Sequence, residues 1–296
     1  MLEVTGLTKS YGPVRAVRGI DFTARDGRVT GFLGPNGAGK STTMRLMAGL
    51  ERPDAGSCRI DGRDPRTLRA PLDEMGVLLD GQGGIPGMTA RDYLRSLAAT
   101  HRIPTQRVDE LLQVVGLDHV RRRRIRTYSL GMKQRLGLAS ALLGDPRHVI
   151  LDEPVNGLDP DGVIWVRGLV RQLADQGRCV LLSSHLMSEL QLCVDDLVII
   201  RDGTVVGAGP LEQILASSRP GVQVHSADDQ MLGRVLTEAG FQISWGDGRL
   251  MVDSDDARRI GWIAHQAGIP LELLSATTGT LEHAYLSLVS SQEVPA

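Results

Sequence analysis

Apolar residues along this chain follow two rhythms. In GRVTGFLG, HVILDEP, RCVLLSSH and DDLVIIRDG they form short unbroken runs, which suit strands buried on both faces of a parallel sheet. Between these runs they recur every three or four residues, as Met132, Leu136, Ala139 and Leu143 do, and that spacing lines one face of a helix. Ser129 stands where the cap of that helix is expected. From Arg91 to Arg124 the strand rhythm stops, and TARDYLRSLAATHRI and RVDELLQVVGL read as helices. The pattern predicts an α/β core of mostly parallel strands with a helical insertion over residues 85–128.

Past RDGTVVGAGPLEQIL the small residues and proline of ASSRPG predict a linker at 216–221. A second unit then reads as strand (VQVHS), helix (228–239), hairpin (FQISWGDGRLMVD, turning at Gly246, Asp247 and Gly248), helix (257–267), strand (PLELLS) and helix (280–289). That order permits a split βαβ sandwich. The expected division is therefore a first domain at 1–215, a small C-terminal α+β domain at 222–290 and a tail at 291–296. Trp245, Trp262 and Tyr285 are expected to serve core or hairpin packing.

Composition narrows the picture. A chain of 296 residues with 42% hydrophobic content has room for two folded domains, and its net charge of −2 gives no global basic surplus, so no nucleic-acid partner is expected. No apolar run reaches the roughly 18 residues that cross a bilayer, and MLEVTGLTKSYG has no basic region followed by an apolar one. A cytoplasmic chain is expected. Cys58, Cys179 and Cys193 form neither an even framework nor a C-x-x-C pair, so they read as reduced core thiols.

The chemistry concentrates in three places. GFLGPNGAGKST carries Gly34, four further residues (Pro35, Asn36, Gly37 and Ala38), then Gly39, Lys40 and Ser41, followed by Thr42. It lies between a strand-like run and a helix-like run, the setting of a phosphate loop. Glycines there let backbone N–H groups surround phosphates, a lysine reaches the β- and γ-oxygens, and a serine hydroxyl ligates Mg²⁺. The spacing of Gly34, Gly37 and Gly39 does not meet the dinucleotide pattern. HVILDEP puts Asp152 and Glu153 at the end of a buried strand, one suited to the metal and the other to accepting a proton from an attacking water. His185 directly follows LLSS, where its ring could reach a γ-phosphate.

Together these residues resemble the ATP-binding cassette of ABC transporters, with every element in order from residue 1 to 214. The fold implied is a P-loop NTPase core. By that resemblance GPNGAGKS is the Walker A loop, VILDE the Walker B strand, NGLD from Asn156 to Asp159 the D-loop, His185 the switch histidine, and YSLGMKQ the signature. Tyr11 falls where the family stacks an aromatic ring on adenine. The resemblance further implies two cassettes docked head to tail around two ATP molecules, with Ser129 and Gly131 gripping the γ-phosphate held by the other subunit's Walker loop. The basic run Arg121 to Arg124 with Arg126 precedes that site.

Two positions depart from the family pattern. Leu130 and Met132 stand in the signature where the family has a small residue and a glutamine, and Asp80 stands where the Q-loop glutamine is expected, with Gln82 two residues on. Asp80 can still offer oxygen to Mg²⁺ or its waters. The reading is an ATP-hydrolysing subunit of an ABC exporter of the ABC-2 type. Its expected cofactors are ATP and Mg²⁺, and its expected partners are a second copy or a homologous cassette and a separately encoded transmembrane permease that holds it at the inner face of the membrane. Two alternatives are a soluble ABC ATPase acting on ribosomes or DNA and an ATP-binding regulatory module. The single cassette without a heptad run weighs against the first, and the joint presence of Lys40, Glu153 and His185 against the second.

Overall fold

A computed structural model describes residues 1–79, 83–217, 221–246, 249–277 and 281–290. The chain divides into two compact units, Met1–Leu211 and Glu212–Ala296. The first runs β1 (Leu2–Tyr11), β2 (Val14–Ala24), β3 (Val29–Leu33), α1 (Lys40–Met47), β4 (Ala55–Ile60), α2 (Pro71–Glu74), β5 (Met75–Leu78), α3 (Ala90–Thr100), α4 (Thr105–Val114), α5 (Leu130–Ala141), β6 (His148–Leu151), α6 (Pro160–Asp175), β7 (Cys179–Ser184), α7 (Met187–Gln191), β8 (Asp196–Arg201) and β9 (Thr204–Pro210). All four unbroken apolar runs are strands, and β3, β6 and β7 are buried along their whole length.

These strands form a sheet in the order β5-β6-β7-β3-β8-β9, parallel except for the edge strand β9. A second sheet, β2-β1-β4, is antiparallel and was not signalled by the apolar rhythm. The reason is a series of register shifts, between Val4 and Leu7, Leu7 and Thr8, and Lys9 and Ser10. Each shift moves the inward side chains out of phase with strict alternation. This sheet covers one face of the parallel sheet, where Leu2, Leu7, Ile20 and Phe22 join Phe32, Met44, Leu181 and Val198 in one core. Phe22 stacks on Phe32 with ring centroids 5.3 Å apart. On the opposite face Gly31 admits Val194, Leu197 and Leu190, which a Cβ would meet at 3.0–3.3 Å.

Strand order decides where chemistry can gather. β6, β7 and β3 are adjacent and parallel, so their C-terminal ends bring the segments after Leu151, Ser184 and Leu33 to one edge. Crevices at that edge are where open α/β sheets bind ligands. The helical insertion contains α3 and α4, as its periodicity predicts. α5 ends at Ala141, so Leu143 is buried just beyond the helix rather than within it.

After α8 (Leu211–Ser217), the second unit runs β10 (Gly221–Ser226), α9 (Asp229–Glu238), β11 (Ile243–Gly246), β12 (Arg249–Asp253), α10 (Ala257–Gln266), β13 (Leu271–Thr277) and α11 (Leu281–Ser290). Its antiparallel sheet has the order β11-β12-β10-β13, the arrangement of a split βαβ sandwich. Val222, Val224, Leu232, Leu236, Leu250, Val252 and Ile260 form its core. Residues 216 and 217 of the predicted linker belong to α8, and Gly221 opens β10. Asp247 and Gly248 of the predicted turn, residues 218–220, Thr280 and the 291–296 tail lie outside the described residues.

Trp262 departs from the predicted packing, whereas Trp245, though exposed, stands opposite the core residue Leu250 in the β11–β12 hairpin. Trp245 and Trp262 are 57% and 61% exposed. Trp245 lies on the edge strand β11, and Trp262 is two residues past the buried Ile260, which turns it about 200° away from the core face of α10. Among the described residues no helix is long and apolar enough to cross a membrane.

Candidate nucleotide-binding site

The loop from Gly34 to Gly39 joins β3 to α1 and has the shape that its glycines permit. A Cβ on Gly34 would lie 2.3 Å from the Ile200 carbonyl oxygen, and one on Gly39 2.4 Å from that of Ala16. Gly37 and Gly39 also have φ of +81° and +105°, in the region that side chains disfavour. The loop tip, Pro35, Asn36 and Gly37, is exposed, whereas Ala38, Gly39 and Lys40 are buried. Among the described residues no side chain caps α1. Its first-turn N–H groups and the positive end of its dipole are therefore available to an anion.

Lys40 lies along this loop. Its Nζ donates to the carbonyls of Gly34 at 2.6 Å and Pro35 at 3.2 Å, and stands 4.0 Å from Glu153 Oε1. Thr43 is buried and donates its hydroxyl to Gly39 O at 2.9 Å, bracing the first turn of α1. Ser41 is exposed and Thr42 half-buried on the same turn.

At the end of β6 Asp152 is buried, and Glu153 turns into the left-handed region with φ +49°. Ser183, fully buried on β7, holds both: its hydroxyl donates to Asp152 Oδ1 and accepts from Glu153 N at 2.9 Å. The Glu153 carbonyl accepts from Gln134 Nε2 at 3.0 Å and from Asn156 N at 3.2 Å. Its carboxylate lies 2.9 Å from His185 Nδ1. Lys40, Glu153 and His185 thus form one cluster at the sheet edge.

The remaining expected residues have other partners. Ser129 is exposed and caps α5, accepting from Met132 N at 3.2 Å, with the half-buried Gly131 behind it. Asp159 caps α6, where its Oδ1 accepts from Gly162 N at 3.0 Å. Tyr11 ends β1; its hydroxyl donates to Glu51, and Lys9 Nζ lies 5.5 Å from its ring centroid. Burial, followed by the Glu51 carboxylate, raises the Tyr11 phenol above its ordinary value. Asp80 and Gln82 lie outside the described residues.

Sequence reasoning missed Ser183 and Gln134. Gln134 is a polar side chain on the buried side of α5, and the sequence signal available was a glutamine close to the apolar stripe. Ser183 had no separate signal, because its importance comes from the neighbouring strand.

Residues 17–156 match the family described as ABC transporter. The bacitracin transport ATP-binding protein of Bacillus licheniformis is 37% identical over 246 residues, covering 82% of this chain and 80% of that protein. The chain belongs to the ABC transporter family. A daunorubicin/doxorubicin resistance ATP-binding protein of Streptomyces peucetius is 36% identical over 251 residues, covering 82% of this chain and 76% of that one. Among solved structures, the ATP-binding subunit of an ABC transporter superposes with a TM-score of 0.67 at 28% identity, covering 73% of this chain and 92% of its own. The chain is accordingly an ABC ATPase that binds and hydrolyses ATP. Residues 220–282 match a family described as a domain of unknown function, DUF8746.

Proposed function

We propose that this ABC ATPase drives an exporter, pairing with a second copy of itself or a homologous cassette around two ATP molecules and acting on a separately encoded transmembrane permease at the inner face of the membrane. The observation that carries this reading is the division of the anion sites. Lys40, Glu153 and His185 cluster at the sheet edge, whereas the Ser129-capped end of α5 is exposed. A helix N-terminus beside Ser129 and Gly131 is suited to a phosphate brought by another chain. Relatives named for bacitracin transport and for daunorubicin and doxorubicin resistance support the exporter assignment.

In this reading the loop residues Gly34 to Gly39 and Thr42 enclose the phosphates of ATP, Lys40 offsets their charge, and Tyr11 stacks on the adenine. Glu153 accepts the proton of the attacking water, and His185 steadies that carboxylate and faces the γ-phosphate. Asp159 lies at the partner-facing loop. The Ser41 hydroxyl and Asp152 carboxylate are hard oxygen donors of the kind Mg²⁺ takes, and the Ser183 bond orients Asp152 for that task. Asp80 would offer a further oxygen donor to the same ion. Mg²⁺ would supply charge neutralisation across the β- and γ-phosphates. Residues 222–290 form an accessory domain that braces or regulates the pair.

The test is the solution mass of Glu153→Gln with and without Mg-ATP, by light scattering after gel filtration. Slowed hydrolysis should trap an ATP-dependent dimer, and adding Ser129→Arg should abolish that dimer while one nucleotide still binds each monomer. Loss of nucleotide binding with Ser129→Arg would refute the division of the sites.

A further inference from the structure

The family position that Leu130 occupies ordinarily carries a small residue, and the structure shows what the larger one touches. Leu130 sits at the first turn of α5, 53% exposed, over Gly157 of the D-loop. A Cβ on Gly157 would lie 2.3 Å from Leu130 Cδ2 and 2.5 Å from its Cγ. Even the smallest side chain would therefore overlap the leucine. Gly131 fits from the other side, where a Cβ would meet Gly157 O at 3.1 Å and Leu158 Cδ2 at 3.3 Å. The loop is itself a tight turn, closed by Asn156 N to Glu153 O and Leu158 N to Val155 O, both 3.2 Å.

We propose that Leu130 is a positioning residue for ATP turnover, a knob seated in the hole at Gly157 that makes the phosphate-gripping end of α5 and the loop from Glu153 to Asp159 move as one body. The inference rests on the proposed division of the anion sites. One end of this body carries Glu153, which acts on the chain's own ATP, and the other carries Ser129, which holds the partner's. Gln134 Nε2 on Glu153 O ties the same two segments one turn further along α5. Displacement of Glu153 is thereby transmitted to Ser129 within one chain. The large residue at 130 and the missing side chain at 157 are a matched pair, so neither tolerates change without the other.

The experiment is a double-mutant cycle of Gly157→Ala and Leu130→Ala in the full chain, read as kcat, nucleotide affinity of the monomer, and lifetime of the ATP-dependent dimer in a Glu153→Gln background. Gly157→Ala should lower kcat about tenfold, with monomer affinity unchanged. Leu130→Ala in that background should recover most of the loss. The backbone strain of alanine at φ +74° is present in both members of the comparison and cancels. Additive effects, or full activity of Gly157→Ala, would overturn the proposal. If Gly157→Ala fails to bind nucleotide, Leu130→Ala alone decides: it must shorten the dimer lifetime at unchanged monomer affinity, and an unaltered lifetime overturns the idea. Absence of an ATP-dependent dimer in Glu153→Gln itself would instead refute the division of the anion sites.

Discussion

Ser183→Ala deletes one oxygen and leaves two groups without a partner. The hydroxyl is fully buried, donates to Asp152 Oδ1 and accepts from Glu153 N at 2.9 Å. A hydrogen bond to a charged group contributes about 1.5–3 kcal/mol and a neutral one about 0.5–1.5 kcal/mol. The expected destabilisation is therefore about 2–4.5 kcal/mol. Glu153 adds a functional consequence, because its left-handed backbone costs roughly 1–2 kcal/mol and relies on such contacts to persist. Turnover should fall between about tenfold and a hundredfold.

Ser184→Ala is the internal control. That hydroxyl accepts from the neutral backbone N–H of Leu186 at 3.0 Å, so its loss should cost about 1 kcal/mol. Stability is best read by urea unfolding followed through Trp165, in a background where the exposed Trp245 and Trp262 are replaced by Phe. Trp165 then reports on the first unit alone. If Ser183→Ala is no less stable than Ser184→Ala and keeps its kcat, the hydroxyl bridge has no energetic role and the reasoning fails.

Other expectations follow from burial and close approach. Gly34→Ala forces a Cβ to 2.3 Å from the Ile200 carbonyl oxygen, so the loop must shift; the cost should be about 1–3 kcal/mol, and calorimetric titration should show weakened ATP binding. Burial raises the thiols of Cys58 and Cys179 to about 12 and that of Cys193 to about 11. Because the thiolate is the nucleophile, alkylation at pH 8 should be slow in the native protein and fast in urea, as mass spectrometry would show. Cys58 is half-buried, so rapid native labelling of Cys179 or Cys193 is the result that would contradict the burial. With folded values above the ordinary thiol range, these groups favour the fold fully below about pH 8.5, and that contribution is lost as pH rises towards 11 and 12; a urea midpoint that fails to fall above pH 9 would count against it.

The phosphate loop, the acidic pair after β6 and the parallel strands were readable in the sequence because each depends on local order. Unbroken apolar runs reveal burial on two faces, and Gly34 to Ser41 contains its spacing within eight consecutive residues. The second unit was readable for the same reason, since its strands and helices alternate within short distances and differ in period. The β2-β1-β4 sheet was not, because its register shifts break the alternation and β1 meets β4 only after some fifty residues of intervening chain. Ser183 and Gln134 acquire their roles solely from what lies across from them, the end of β6 and the Glu153 carbonyl. Leu130 shows the division most clearly. The sequence by itself determined that a large residue stands in the signature, whereas only tertiary structure decided that Gly157 lies beneath it, because that contact joins segments 27 residues apart through space rather than along the chain.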